Sequence, residues 1–76
     1  MQTVKVESAA LVQIGYDAAT QQLIVEFRDG AIYHYLGIPA AVHASLVSAS
    51  SKGQHFNQAI RGNYPFTRFR REQLHA

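Results

Sequence analysis

Cysteine is absent from the 76 residues, which excludes a disulfide framework and any thiolate-ligated metal site. Such a chain is compatible with a reducing compartment, and a cytoplasmic location is expected. Also missing is any apolar run long enough to span a bilayer. The opening "MQTVKVESAA" carries Lys5 and Glu7 and no continuous apolar stretch, so it does not read as a secretory signal. Charged residues are scarce at 16%, too few for a disordered segment, while the 47% apolar fraction can furnish a core. One small domain is expected. Its modest size would make pairing with a second copy helpful, so a monomer or weak homodimer is anticipated.

The marks of catalysis are missing as well. No Gly-x-Ser-x-Gly elbow occurs, and no pair of carboxylates is spaced for acid–base work. The histidines His34, His43, His55 and His75 lack an H-x-x-x-H spacing, and no cysteine supports them. Neither a metal, a cofactor nor an enzymatic activity is expected. There is no internal repeat, low-complexity tract or linker.

What is present is an alternating first half and a helical second half. "LVQIGYD" has strand composition, "DAAT" interrupts it, and "QLIVEFR" alternates Leu23, Val25 and Phe27 against Ile24, Glu26 and Arg28. Asp29-Gly30 supplies a tight turn and "AIYHYLG" the returning strand, which completes an antiparallel meander. At Gly37 the period changes. Pro39 suits the first turn of a helix in which Val42, Leu46 and Ala49 recur. Ser50 and Ser51 end it and can cap a second helix, where Phe56, Ala59 and Ile60 share a face and Gly62 closes the end. "NYPFTRFRREQLHA" is extended after Tyr64-Pro65, with its last residues expected to fray. The predicted fold is therefore α+β: a three-stranded antiparallel β-meander, two short α-helices and an extended C-terminal tail.

The ordered set "IGYD", "LIVEFRDG", "YHY", "IPAAV", "SSKG", "HFNQAIRG" and "NY" resembles the KTSC domain family. That name comes from the domain's place at the C-terminus of some lysyl-tRNA synthetases; it also occurs as a short stand-alone bacterial protein and in phages. The resemblance runs from Ser8 to Tyr64, which sets the expected domain at 8–64 with a basic tail over 65–76. It implies an α+β module with a Tyr-x-Tyr centre and no established activity, with RNA binding suggested by the synthetase connection alone. Ser51, Lys52 and Gly53 match the family's Ser-x-Gly segment, and Phe56, Asn57, Ile60 and Arg61 match the stretch just C-terminal to it.

Charge is unevenly distributed. Residues 1–36 hold Lys5 and Arg28 against Glu7, Asp17, Glu26 and Asp29; residues 37–76 hold Lys52, Arg61, Arg68, Arg70 and Arg71 against Glu72. A basic patch from the second half favours an anionic partner. The start of the second helix offers unpaired N–H groups, with Ser51, Lys52 and Gly53 beside them, and a plain capped helix is the alternative. Asn57 and Arg61 lie one turn apart and can act together, while an ion pair of Arg61 with Asp17 or Glu26 competes.

Tyr33 and Tyr35 share a face. A two-residue turn at Asp29-Gly30 opposes Glu26 to Tyr33 and Ile24 to Tyr35, placing both rings opposite the Leu23, Val25 and Phe27 face; a three-residue loop reverses that. The rings are then either an open platform for bases or part of the core. The leading expectation is a non-enzymatic binding module for a phosphate-bearing ligand, RNA or single-stranded nucleic acid, or a free nucleotide at Ser51–Gly53. Its site would be Tyr33, Tyr35, Ser51, Lys52, Gly53, Asn57, Arg61, Arg68, Arg70 and Arg71. The alternative is a protein–protein adaptor, of phage or bacterial origin, using an exposed tyrosine face.

Overall fold

The alternation of "QLIVEFR" builds the central strand of an antiparallel sheet. The computed structural model describes residues 2–5, by their backbone, and 10–71. The fraying expected of the last residues lies, from 72 onward, outside these. Five strands pair in chain order: β1 (Gln2–Lys5), β2 (Leu11–Asp17), β3 (Gln22–Phe27), β4 (Ala31–Tyr35) and β5 (Phe66–Arg70). β2 to β4 are the expected meander. The extended tail is also present, and over Phe66–Arg70 it pairs with β4 as the sheet's outer strand.

The β3–β4 connection decides which way the tyrosines face. Glu26 pairs with Ile32 and Val25 with Tyr33, so Arg28, Asp29 and Gly30 are all loop. The Gly30 N–H donates to the Phe27 carbonyl at 3.1 Å, Gly30 takes a φ of 94°, and the Asp29 carboxylate accepts from the Ala31 N–H at 3.0 Å. A turn followed by a positive-φ glycine is the usual three-residue hairpin solution. The two-residue register is thereby corrected. Tyr33 and Tyr35 stand on the same face as Leu23, Val25 and Phe27, because one extra loop residue exchanges the two faces of the returning strand.

A second irregularity sits in β2. Leu11 pairs with Phe27 and Gln13 with Glu26, leaving Val12 as a bulge. Strict alternation would set Leu11 apart from Ile14 and Tyr16; the bulge brings all three to one buried face.

Two helices cover that face. α1 (Ala40–Ser48) has Pro39 as its N-cap, so it starts one residue later than a helix with Pro39 in its first turn, and the Pro39 carbonyl accepts from the Val42 and His43 N–H groups. Tyr16 ties α1's entry to the sheet: its hydroxyl donates to the Ile38 carbonyl at 2.6 Å, and its ring stacks on His43 with centroids 4.2 Å apart. α2 (Lys52–His55) runs directly into a π-helical turn over Phe56–Ile60, where the Arg61 N–H reaches back to the Phe56 carbonyl. Gly62, at φ 82°, turns the chain away just beyond. The core is Leu11, Ile14, Tyr16, Leu23, Val25, Tyr35, Ile38, Leu46, Phe56 and Ile60. Among the described residues no helix is long and apolar enough to cross a membrane.

Candidate functional site

Strand pairing decides which side chains can meet. β5 sets Arg68 opposite Tyr33, Phe66 opposite Tyr35 and Arg70 opposite Ala31, so these β5 side chains share the helix-covered face. The Arg68 guanidinium carbon lies 5.9 Å above the centroid of the Tyr33 ring, within cation–π range. From the helix layer, the π-helical turn delivers Arg61, whose Nη1 donates to the Asn57 carboxamide oxygen at 3.2 Å. The expected i, i+4 pairing of Asn57 and Arg61 is thus present, and Arg61 forms no ion pair with Asp17 or Glu26 among the described residues.

Arg61 and Arg68 meet across a cleft of about 160 Å³ walled by Phe27, Asp29, Ala31, Tyr33 and Phe56. Its floor is aromatic: Phe27 stands edge-on to Tyr33 at 5.4 Å and to Phe56 at 5.3 Å. Asp29 brings a carboxylate to the rim, with one oxygen engaged by the Ala31 N–H. Two guanidinium groups with five donors each outweigh that single charge, and neither is ion-paired among the described residues. The cleft can therefore hold an oxyanion over an apolar floor.

Other expected residues fall elsewhere. Tyr35 is 0% exposed and cannot stack a base from solvent, whereas Tyr33 is half-buried. Burial pushes the Tyr35 phenol pKa up, with neighbouring Tyr33 adding to the rise and Arg61 pulling it partly back. The start of α2 is a helix end without a side-chain cap. The Ser51 side chain makes no capping bond, the Lys52 ammonium donates to the Ala49 carbonyl at 3.1 Å, and a Cβ on Gly53 would meet Ala10 at 3.5 Å. Lys52 does not line the cleft that Arg61 lines. Arg71 lies on the opposite sheet face, where its Nε donates to the Glu26 carboxylate at 2.6 Å and Glu26 also accepts from Gln13 at 2.7 Å. That acidic neighbour neutralises it.

Of the ten expected residues, the structure brings Tyr33, Asn57, Arg61 and Arg68 together, with Arg70 following on the same strand face. Phe27, Asp29, Ala31 and Phe56 were not foreseen as site residues. The aromatic pair carried a signal, having the bulk to floor a cleft, but nothing in the sequence tied it to the arginines. Among the described residues, no group of three or more His, Asp or Glu is placed to hold a metal ion.

The profile of the KTSC domain matches residues 7–64. The chain belongs to the KTSC domain family. Among KTSC relatives, a lysine–tRNA ligase of Nostoc punctiforme is 42% identical over 62 residues, which are 82% of this chain but 11% of the ligase. The chain thus spans about a tenth of that relative's length. A protein of Stutzerimonas stutzeri is 43% identical over 61 residues, covering 80% of this chain and 86% of its own. A crystal structure of a KTSC domain protein from Yersinia pestis superposes with a TM-score of 0.85 at 35% identity, covering 90% of this chain and 96% of that one. KTSC is a small domain family without an assigned function, and nothing in these comparisons indicates catalysis.

Proposed function

We propose that this KTSC domain is a non-enzymatic module that binds RNA by its phosphate backbone, at the cleft between β4, β5 and the π-helical turn. The observation that carries this reading is that Arg61 and Arg68 line one cleft, with Arg68 over the Tyr33 ring, and that neither has an ion-pair partner among the described residues. Guanidinium groups match phosphate oxygens in a planar, two-pronged geometry that a lysine cannot reproduce. Tyr33 holds Arg68 in place and offers an aromatic surface beside the phosphate. The presence of a similar domain within lysine–tRNA ligases, proteins named for work on an RNA, supports RNA over other polyanions, and the net charge of +2 is compatible with an anionic partner. The cysteine-free chain suits the reducing cytosol in which such RNAs are found.

The free-nucleotide variant at Ser51–Gly53 is less favoured, since the Lys52 ammonium is engaged by the Ala49 carbonyl. A fluorescence anisotropy titration with a labelled single-stranded RNA tests the proposal. Binding is expected at low salt, and the double variant Arg61→Ala/Arg68→Ala is expected to weaken it by roughly tenfold or more while remaining folded. Equal binding by the double variant would remove the cleft from consideration.

A further inference from the structure

Asp29 is out of keeping with the cleft it lines. Arg61 and Arg68 give that cleft its attraction for an oxyanion, and a carboxylate on the same rim opposes it. The loop does not need the charge. Asp29 Oδ1 accepts from the Ala31 N–H at 3.0 Å, an Asx-turn that the neutral side chain of asparagine forms as well. Nor does the carboxylate neutralise the arginines, with neither of which it forms an ion pair. Asp29 is exposed, and its second oxygen has no hydrogen-bond partner among the described residues.

A ligand group that sits beside a phosphate and donates a hydrogen bond resolves the conflict. In the sugar–phosphate backbone of RNA that group is the 2′-hydroxyl, since the phosphodiester and ring oxygens only accept and DNA has no donor at that position. Carboxylates take up ribose hydroxyls by the same chemistry in dinucleotide-binding folds. The size of the cleft agrees. About 160 Å³ is below that of pockets that enclose whole small molecules, so it admits a piece of backbone and leaves the bases outside. The aromatic floor of Phe27, Tyr33 and Phe56 offers a surface for the apolar side of the sugar.

We propose that Asp29 makes the cleft selective for ribose: Arg61 and Arg68 hold a backbone phosphate, and the second Asp29 oxygen accepts from the 2′-hydroxyl of an adjoining sugar. This deepens the RNA-backbone reading and rests on it. The Asx-turn fixes the carboxylate before the ligand arrives, so little freedom is lost when its other oxygen is engaged. Discrimination comes from the sugar and not the base. A DNA strand brings its phosphate against the same carboxylate without the hydroxyl that offsets the repulsion.

The test is fluorescence anisotropy with single-stranded oligonucleotides of one sequence, made as RNA, as DNA and as 2′-fluoro RNA, whose fluorine cannot donate. Each is titrated against wild type, Asp29→Asn and Arg61→Ala/Arg68→Ala. Wild type is expected to bind RNA roughly tenfold more tightly than either analogue, which lacks one hydrogen bond to a charged group. Asp29→Asn keeps the Ala31 hydrogen bond but offers the hydroxyl a neutral contact of about half the strength, so the preference should shrink to about threefold. DNA should bind that variant at least as tightly as it binds wild type, because the repulsion is gone. If wild type binds all the oligonucleotides alike while the arginine variant does not, Asp29 does not read the sugar and the phosphate reading of the cleft stands. That comparison needs no Asp29 variant to fold. If Asp29→Asn weakens every oligonucleotide equally and leaves the preference intact, the residue only shapes the loop and the inference is overturned. If wild type binds no RNA, or the arginine variant binds it equally, both readings fall.

Discussion

At the scale of single residues, two tyrosines and a histidine show how the same side chains serve opposite ends. Tyr16 and Tyr35 are both core residues on one sheet face, but Tyr16 locks α1 onto the sheet and Tyr35 leaves its polar end unpaired. His43, stacked on Tyr16, has its pKa lowered from the ordinary 6.5 by burial, which penalises the charged ring. Linkage sets the sign of the consequence. Above about pH 6.5 the ring is neutral in both states and its contribution to stability is fully present. As pH falls below that value the unfolded chain takes up the proton first, so stability declines until the folded-state value is passed. Urea unfolding stepped between about pH 8 and about pH 5 should show this decline. His43→Phe keeps a ring against Tyr16 and cannot titrate, so it should flatten that part of the curve. An unchanged curve would show that His43 does not set it.

At the scale of elements, what could be read from the sequence was what is local. β2 to β4 were legible because alternation is a nearest-neighbour property, and both helices because Val42 and Leu46, then Phe56 and Ile60, repeat at helical spacing. Asn57 and Arg61 were legible as an i, i+4 pair for the same reason. The loop was not, because Asp29-Gly30 satisfies both a two-residue turn and a three-residue loop, and only pairing along the whole hairpin chooses between them. Nor were the Val12 bulge and the π-helical turn, each a single added residue whose position is set by packing against another element. The meeting of Arg68 with Arg61 depends on the register of β5 against β4, a pairing between segments far apart in the chain. Deleting Asp29 tests the loop's role: a two-residue connection would turn Tyr33 and Tyr35 away from the helices. The expected result is loss of a cooperative urea transition and of near-ultraviolet tyrosine circular dichroism. A deletion variant that unfolds as wild type does would show that the register tolerates either length.

At the scale of the whole molecule, charge and architecture separate into two faces. The helix-covered face carries the cleft with Arg61 and Arg68; the opposite face carries the clasp of Arg71 to Glu26 and Gln13. That clasp, with Arg71 44% and Glu26 12% exposed, contributes at most about 1 kcal/mol, because solvent screens the arginine end. It nevertheless withdraws one cation from the pool available to a polyanion. The expected salt response is accordingly shallow. Each phosphate contact on single-stranded RNA contributes a slope of about −0.7 in log K against log salt, giving about −1.4 for Arg61 and Arg68 and about −2.1 if Arg70 joins them. A titration series across ionic strength measures it, and a slope near zero would exclude phosphate contacts altogether.

The outermost position of β5 has one more consequence. A sheet border with open amides and carbonyls invites a second chain to zip onto it, and here that border bears Arg68 and Arg70, both exposed. Two copies approaching border to border would bring like charges against one another, which discourages runaway stacking. The guanidinium groups proposed to meet phosphate thus also set like charges along the border where two such domains would approach edge to edge.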